Sequence, residues 1–304
     1  MFTDIKGTKR VKVGLHTHTT LSDGRKSPQE VMQIYADAGY DYLALTDHWV
    51  YGQPQQVGDM QVISGCEYNM EGPNTPDGFV EVFHIVGVGM QQDPGIPAEF
   101  VRGCDVPIHQ RVKIAVEKIR AAGGLAILAH PAWSLNTPEQ IMDAGDYDAT
   151  EIFNSVSECG MSDRAYSDVI VDQLGVQGVY LPLLATDDAH YYTGEETRGM
   201  VMVEQDAVEE LGLVGALRAG RFYSTQGPQV LLERTGDNEV TVYCTPAVKA
   251  VFQSNLVWSA GRAVRGQGFT SASYTLKPEK GERFVRVEVT DAQGSKGWSN
   301  IIVL

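Results

Sequence analysis

The sequence predicts an α/β fold, a distorted (β/α)7 barrel that is followed by a small all-β sandwich. Apolar strands alternate with amphipathic helices up to about residue 220, which is typical of parallel strands joined by crossover helices. Nearly every predicted strand ends in a histidine or a carboxylate, and strand ends of a parallel barrel meet at one rim. Beyond this region helical spacing disappears. We therefore predict a barrel over residues 1–226 and a β-sandwich over residues 227–304.

The elements of the predicted barrel follow one another with recognisable boundaries. The first strand covers residues 11–15, and the first helix opens with a Ser-Pro-Gln-Glu capping box at 27–30 and stops at Gly39. A doubly wound open sheet is the alternative, but it would build a site from fewer strand ends. The further strands are predicted at 42–45, 62–63, 80–88, 125–129, 150–153 and 179–185, the helices at 107–122, 163–174 and 208–217, and a turn-rich loop at 71–78.

The C-terminal prediction rests on short runs of β-forming residues that are separated by turn residues. Gly236-Asp237-Asn238 is one such turn. The pattern is typical of a small antiparallel sandwich. The runs cover residues 230–232, 240–244, 250–252, 273–276, 284–289 and 301–304.

Composition excludes several classes of protein. The formal net charge is −15 and no basic stripe is visible, which argues against binding of long nucleic acids. An anionic substrate would need local cations, and several bound metal ions would supply them. The four cysteines are scattered, no apolar run is long enough for a membrane span, and the N-terminus lacks the apolar core of a signal peptide. We therefore expect a cytoplasmic protein without a membrane segment.

Six of the seven histidines fall at or near the predicted strand ends, and three carboxylates accompany them. Two histidines separated by one residue point to the same face of a strand, so His16 and His18 begin the set. A polar cluster of this size needs something to coordinate. Nine ligands suit three ions with one shared carboxylate, for which Glu67 is the natural bridge because a carboxylate has two oxygens, and the mixed set favours zinc, manganese or iron. The predicted ligands are His16, His18, Asp23, His48, Glu67, His84, His130, Asp188 and His190.

These motifs resemble those of the PHP (polymerase and histidinol phosphatase) family of metallohydrolases. The resemblance implies a distorted (β/α)7 barrel with two or three divalent ions, and the C-terminal tail is similar to a subgroup that carries a β-sandwich. The matching segments are His16-Thr17-His18, Ser22-Asp23-Gly24, Leu45-Thr46-Asp47-His48, Gly65-Cys66-Glu67, His84-Ile85-Val86-Gly87, Ala129-His130-Pro131 and Asp188-Ala189-His190. By the family pattern, one ion lies on His16, His18, Glu67 and Asp188, a second on Glu67, His84 and His130, and a third on Asp23, His48 and His190.

The expected activity is hydrolysis of a small phosphorylated metabolite by a metal-bridged hydroxide. Arg25 and Arg198 are candidate phosphate ligands on rim loops, with Arg164 as a further candidate, because arginine binds two oxygens at once. Asp187 is expected to act as an acid or base or to support a ligand. His109 and Tyr191 are weaker candidates for proton donation to the leaving group, and Trp133 is expected to line the pocket or to pack in the core.

Three alternative functions remain open from the sequence. The same centre could hydrolyse a carbamate, ester or amide bond, or it could act on a nucleotide as a phosphodiesterase. A non-catalytic binding protein would use aromatic residues of the sandwich to bind sugar, although such residues are ordinary in sandwich cores. The candidate aromatics are Phe252, Trp258, Tyr274 and Trp298. The substrate and the oligomeric state are not determined by the sequence.

Overall fold

We analysed a computed structural model of the chain, which describes residues 2–73, 78 and 80–304. The predicted turn-rich loop at 71–78 lies partly outside these residues. The strands of the N-terminal part are β1 (Phe2–Thr3), β2 (Lys9–Gly14), β3 (Tyr42–Ala44), β4 (Gln55–Val57), β5 (Met60–Ile63), β6 (Gly65–Glu71), β7 (Val82–Val88), β8 (Leu125–Leu128), β9 (Ala149–Asn154), β10 (Leu183–Thr186), β11 (Met200–Glu204) and β12 (Phe222–Thr225).

Helices alternate with these strands as the sequence predicts. The capping box at the start of the first helix is formed, because the Ser27 side chain accepts from the Glu30 amide and the Glu30 carboxylate accepts from the Ser27 amide. Thr137 and Gln140 form an equivalent box on a helix that the prediction omits. The helices are α1 (Pro28–Asp37), α2 (Ile108–Ala121), α3 (Pro138–Ala144), α4 (Asp168–Val176) and α5 (Gln205–Arg218). Within the described residues, no helix is both long and apolar enough to span a membrane.

The strands of the N-terminal part lie in two sheets. Strands β11, β2, β3, β5 and β4 are neighbours in the first sheet, and β10, β9, β8, β7 and β6 form the second. The sheets are joined where β5 ends and β6 begins, with only Ser64 between them. Gly65 permits this joint, because a β-carbon there would lie 2.4 Å from the Leu45 carbonyl oxygen. At the end of the sheets opposite this joint, β10 of the second sheet contacts β11 and β12 of the first. There the Ser224 hydroxyl donates to the carbonyl of residue 183 and accepts from the amide of residue 185.

Both sheets face one apolar core. It contains Val11 and Val13 from β2 and Leu15 directly after it, side chains from β7, β8, β10 and β11, and apolar residues of α5. The enclosure is therefore barrel-like, although the strands of the described residues do not close into a hydrogen-bonded ring. The structure confirms a mixed α/β fold with large sheets but does not confirm a (β/α)7 barrel.

The prediction that all barrel strands run parallel is wrong, because β11 is antiparallel to β2 and β12, β4 is antiparallel to β5, and β7 also runs against its neighbours. Strand β7 is antiparallel to both β6 and β8, whereas β2/β3, β3/β5, β8/β9 and β9/β10 are parallel pairs. Ile85 pairs with Leu128, so the beginning of β7 lies beside the end of β8. His84 consequently reaches the same rim as His130 even though it lies near the start of its strand.

The C-terminal part of the described chain consists of strands and one short 3-10 turn. Its core includes Val240, Val242, Phe252 and Val287, which are fully buried. It is not a separate sheet, because β17 pairs with β12 of the N-terminal part and continues the first sheet. The strands are β13 (Val230–Gly236), β14 (Glu239–Gln253), β15 (Ala263–Thr275), β16 (Phe284–Thr290), β17 (Lys296–Trp298) and β18 (Ile302–Val303).

The two parts also share a buried ion pair. The Arg286 side chain on β16 is fully buried and donates from Nε and Nη2 to the two carboxylate oxygens of Asp172 on α4, at 2.7 and 2.9 Å. Trp298 of β17 stacks on Phe153 of β9 with ring centroids 5.8 Å apart. The prediction of a boundary at 226/227 is not tested by these contacts, but the contacts show that the two parts are packed tightly together.

Candidate metal centre

The nine predicted ligands are brought to one rim by six different elements. His16 and His18 follow β2, His48 follows β3, and Glu67 and His84 lie within β6 and β7. His130 follows β8, and Asp188 and His190 follow β10. Asp23 lies on the loop between β2 and α1. The ligand atoms of these residues form three groups, and within each group they lie within 4.8 Å of one another.

The first group has the spacing of a tetrahedral site. The Nε2 atoms of His16 and His18 are 3.2 Å apart, and each lies 3.1 Å from Asp188 Oδ1. Glu67 Oε2 lies 3.3 Å from the first and 3.0 Å from the second. Zinc with ligands at about 2.0–2.1 Å requires ligand atoms about 3.3 Å apart. These four side chains therefore fit a divalent ion.

Glu67 takes part in two groups through its two oxygens. Oε2 faces His16 and His18, whereas Oε1 lies 2.8 Å from His84 Nδ1 and 3.4 Å from His130 Nε2. This arrangement matches the predicted role of Glu67 as the shared carboxylate. Glu67, His84 and His130 form the second group.

The third group contains one residue more than the sequence suggests. Asp23 Oδ1 lies 3.4 Å from His190 Nε2 and Asp23 Oδ2 lies 3.7 Å from His48 Nε2. His18 also belongs here, since its Nδ1 lies 3.6 Å from Asp23 Oδ1. The two nitrogens of His18 thus face different groups, which the spacing of the motif alone does not reveal.

Exposure rises steadily from the first group to the third. The side chains of His16, His18 and Glu67 are at most 1% exposed, whereas His48 is 20% and Asp23 is 56% exposed. The first group is therefore the floor of the site, and Asp23 and His48 lie at its mouth.

Electrostatics at the floor favour positive charge. Burial lowers the pKa of His18, but the carboxylates of Asp188 and Glu67 outweigh it and raise this pKa to about 9. Burial raises the pKa of Glu67, but the imidazoles of His16 and His84 hold it well below its ordinary value. At the mouth, burial lowers the pKa of His48 to about 4, so this ring is neutral at pH 7. A neutral imidazole and an ionised carboxylate are the forms that bind metal ions.

Two further observations fit a metal centre. Asp188 Oδ1 and His48 Nδ1 are buried polar atoms that have no hydrogen-bond partner among the described residues. Such atoms are costly unless an ion or water satisfies them. His130 and Asp188 have positive φ values of 27° and 52°, which non-glycine residues rarely adopt. Backbone strain of this kind concentrates at functional sites.

The structure also reveals supporting residues that the sequence analysis missed. Asp47 accepts hydrogen bonds from the Thr19 amide and hydroxyl and from the Ser22 amide and hydroxyl, at 2.7 to 3.2 Å. It thereby holds the loop that carries Asp23. Glu195 accepts from the amides of residues 191, 192 and 193 and fixes the loop after His190. Neither carboxylate is among the three metal-competent groups, although Asp47 lies within a motif that the sequence analysis singled out.

Asp187 supports a loop and does not face the centre as an acid or base. Its oxygens accept from the Tyr35 hydroxyl at 2.7 Å and from the amides of residues 197, 198 and 199 at 2.6 to 2.9 Å. Four hydrogen bonds saturate a carboxylate. Burial raises its pKa to about 6, which these donors partly oppose. The acid-base hypothesis for Asp187 therefore needs correction, and the alternative of a supporting role fits.

The two candidate phosphate ligands differ in availability. Arg198 donates to Glu158 at 2.6 Å and to the Cys159 sulfur at 2.5 Å, so its guanidinium is already paired. Arg25 is exposed, and within the described residues no ion pair holds it. Its guanidinium carbon lies 4.7 Å from the ring centre of Tyr191, and its amide donates to the His190 carbonyl. Arg25 is thus positioned beside the third group with its donors free.

The remaining candidate residues, His109, Trp133 and Arg164, differ in whether they lie near the metal-binding groups. His109 is held between Asp143 and Glu81, at 2.5 and 2.7 Å, and its role as a proton donor is not supported. Trp133 lies against His130 and His84, with ring centroids 4.9 and 5.6 Å apart, and lines the second group. Arg164 is exposed on the segment before α4.

The aromatic residues of the C-terminal part do not form a shared binding surface. Phe252, Tyr274 and Trp298 are buried, as the core interpretation predicts, and only Trp258 of these four is exposed. A sugar-binding face made of several aromatics is therefore not present.

Comparisons with known proteins support the fold. No protein-family model matches the chain, and no curated protein is significantly similar to it. A solved structure from Bacteroides vulgatus, a two-domain protein containing a predicted PHP-like metal-dependent phosphoesterase, is similar over 100% of this chain and 98% of its own, with 16% identity and a TM-score of 0.50. This similarity supports the observed fold, an α/β part followed by a β-rich part, over the whole chain.

Two other solved structures match more weakly. An amidohydrolase from Chromobacterium violaceum, with bound sulfate and no metal, covers 60% of this chain and 89% of its own at 19% identity, with a TM-score of 0.38. A candidate metal-dependent phosphoesterase from Bifidobacterium adolescentis covers 67% of this chain and 96% of its own at 12% identity, with a TM-score of 0.39. At these scores neither similarity carries an argument.

Proposed function

We propose that the chain is a metal-dependent phosphoesterase that hydrolyses a small phosphorylated metabolite. The observation that carries this proposal is the set of three histidine–carboxylate groups that share Glu67 and His18 at one rim. A single ion would leave most of these ligands without a partner. Two or three divalent ions would use them all, and zinc, manganese and iron suit the mixture of imidazole and carboxylate.

Each of the three groups of ligands would hold one ion. His16, His18, Asp188 and Glu67 Oε2 would hold the ion at the floor, and Glu67 Oε1 would extend to the ion on His84 and His130. The third group would hold an ion nearer to solvent. Bound ions of this kind lower the pKa of a coordinated water and neutralise charge on phosphoryl oxygens.

The mouth of the site explains why a phosphate group is the favoured substrate feature. Arg25 lies two residues after Asp23 on the same loop and over the Tyr191 ring, and within the described residues no ion pair holds its guanidinium. Guanidinium groups bind phosphate oxygens in pairs. Arg25 would therefore hold the phosphate from the solvent side, and Tyr191, whose ring lies against both Arg25 and His190, would be a candidate to donate a proton to the leaving group.

A small substrate is favoured over a polymer. The net charge of −15 repels long polyanions, and the described residues show no basic stripe leading to the rim. The proposal also includes a distorted (β/α)7 barrel over residues 1–226, a sandwich over residues 227–304 and a cytoplasmic location.

The test is a release assay with the metal-replete protein. Metal-free protein is reconstituted separately with Zn²⁺, Mn²⁺ and Fe²⁺ and offered a panel of phosphomonoesters, nucleotide phosphodiesters, carbamates and carboxyl esters. We expect phosphate release from monoesters, inhibition by vanadate and no release by the His130→Ala variant. Hydrolysis of carbamates alone, without competition from phosphate, would instead identify a carbonyl hydrolase with the same centre.

A further inference from the structure

Glu151 is a buried carboxylate in the middle of β9, a strand that is otherwise apolar or neutral. The residue is 1% exposed, and both oxygens are used. Oε1 accepts from His16 Nδ1 at 2.7 Å, and Oε2 accepts from the His130 amide at 2.9 Å. No arginine or lysine of the described chain pairs with it. A buried carboxylate without such a partner is costly, so its placement calls for an explanation.

Asn154, three residues further along the same strand, joins Glu151 to a third ligand. Its Nδ2 donates to Glu151 Oε2 at 2.9 Å and to Asp188 Oδ2 at 3.1 Å. Its Oδ1 accepts from the Ser157 amide and hydroxyl at 3.1 and 2.8 Å. Because the Ser157 amide can only donate, these bonds fix which end of the amide faces Asp188.

We infer that Glu151 and Asn154 form a positioning pair for the floor of the metal centre. Glu151 keeps the proton of His16 on Nδ1, so the Nε2 lone pair faces the first group. Asn154 occupies Asp188 Oδ2, which leaves Oδ1 at 3.1 Å from the two Nε2 atoms. The inference rests on the proposed function, since it assigns the pair to ions that the three groups would hold.

The contacts of the pair are selective. They reach His16 and Asp188 of the first group and His130 of the second, and within the described residues no hydrogen bond joins the pair to Asp23, His48 or His190. The third group depends on Asp47 and Glu195 instead. Loss of the pair should therefore weaken ion binding at the floor and leave binding at the mouth nearly unchanged.

The experiment measures Zn²⁺ affinity of metal-free protein by competition with a chromophoric chelator. Glu151→Gln is compared with wild type and with the matched control Asp148→Asn. Asp148 directly precedes β9 and is also buried. It accepts hydrogen bonds from Arg120, Arg218 and the Ala126 amide and contacts no predicted ligand. We expect the tightest Zn²⁺ class to weaken about 10- to 100-fold in Glu151→Gln. The control should bind like wild type.

Further measurements separate positioning from a merely structural role. The absorption spectrum of the Co²⁺-substituted protein should change in Glu151→Gln and not in Asp148→Asn. If Glu151→Gln does not fold, Asn154→Ser removes the contact with Asp188 and should weaken the same class several-fold. Unchanged Zn²⁺ affinity and an unchanged Co²⁺ spectrum in a folded variant would overturn the inference. Failure of the wild type to bind any ion would overturn the proposed function itself.

Discussion

The floor and the mouth of the candidate centre are built in different ways. Floor residues such as His16 and Glu67 are almost completely buried and lie within strands or directly after them. The mouth residue Asp23 lies on a loop and is 56% exposed. Buried carboxylates fix both regions, but Glu151 contacts the side chain of a predicted ligand, His16, whereas Asp47 and Glu195 accept from loop amides and hydroxyls. The difference indicates that the floor is preorganised for ions and the mouth is adaptable.

The largest expected effect tests whether the first and second groups depend on one shared carboxylate. Glu67→Gln retains one carbonyl oxygen, so it cannot serve both the first and the second group. We expect phosphate release to fall about 1000-fold or more, because metal ions contribute several kcal/mol to charge stabilisation. Metal analysis should show fewer bound ions. Glu71→Gln, at the end of the same strand, is the control, and equal losses in both variants would contradict a shared-ligand role.

A smaller effect is expected at the mouth. Asp23→Asn removes the carboxylate that joins His48 and His190, so the ion nearest to solvent should be lost while the floor ions remain. We expect about one ion fewer per chain and a decrease in phosphate release of about 100-fold. The control is Asp37→Asn on the exposed surface of α1. Loss of all ions from Asp23→Asn would show that the floor and the mouth are not independent.

Substrate binding should depend on Arg25 more than on Arg198. A charge-assisted hydrogen bond contributes about 1.5–3 kcal/mol, so kcat/KM of Arg25→Ala should fall roughly ten- to a hundredfold, mainly through KM. Arg25→Lys should recover part of the loss, and ion content should stay constant. If Arg198→Ala raises KM more than Arg25→Ala does, the assignment of the free guanidinium is wrong.

The smallest effect concerns His109, the histidine outside the cluster. Burial lowers its pKa, but Glu81 and Asp143 outweigh this and raise it above the ordinary value. The protonated ring should stabilise the fold fully below about pH 6.5, and this contribution should vanish as pH rises through the raised pKa. His109→Gln should therefore lower the free energy of unfolding at pH 5.5 but not at pH 8.5, by less than about 1 kcal/mol because the ion pair with Asp143 is open to solvent. A difference that is constant with pH would contradict this explanation.

The sequence predicts most of the centre because motif residues at strand ends must converge when the strands share one core. It predicts the spacing of His16 and His18 and the order of the ligands along the chain. It cannot predict that His84 enters from the start of β7, since strand direction depends on pairing with β6 and β8. Nor can it show that Arg198 forms an ion pair with Glu158, because that pairing is set by tertiary packing.

Glu151 is the omission that a closer look at the sequence could have avoided. It stands in the run Thr150-Glu151-Ile152-Phe153, and a charged residue within an apolar strand of a buried sheet needs a partner. The identity of that partner depends on how β9 and β2 face each other across the core, and this tertiary arrangement cannot be predicted from the local sequence. Asp187 shows the converse, since it neighbours a predicted ligand along the chain yet accepts its hydrogen bonds from the Tyr35 hydroxyl and the loop at 197–199.

The ladder between β12 and β17 has a consequence for how the chain can be divided. Ser224 pairs with Trp298 and Thr225 with Gly297, so removing the C-terminal part would uncover the edge of β12. An uncovered edge strand is a template for pairing between molecules. A chain shortened at residue 226 should therefore self-associate, and its loss of activity would reflect aggregation. The intact chain should instead unfold in one cooperative transition.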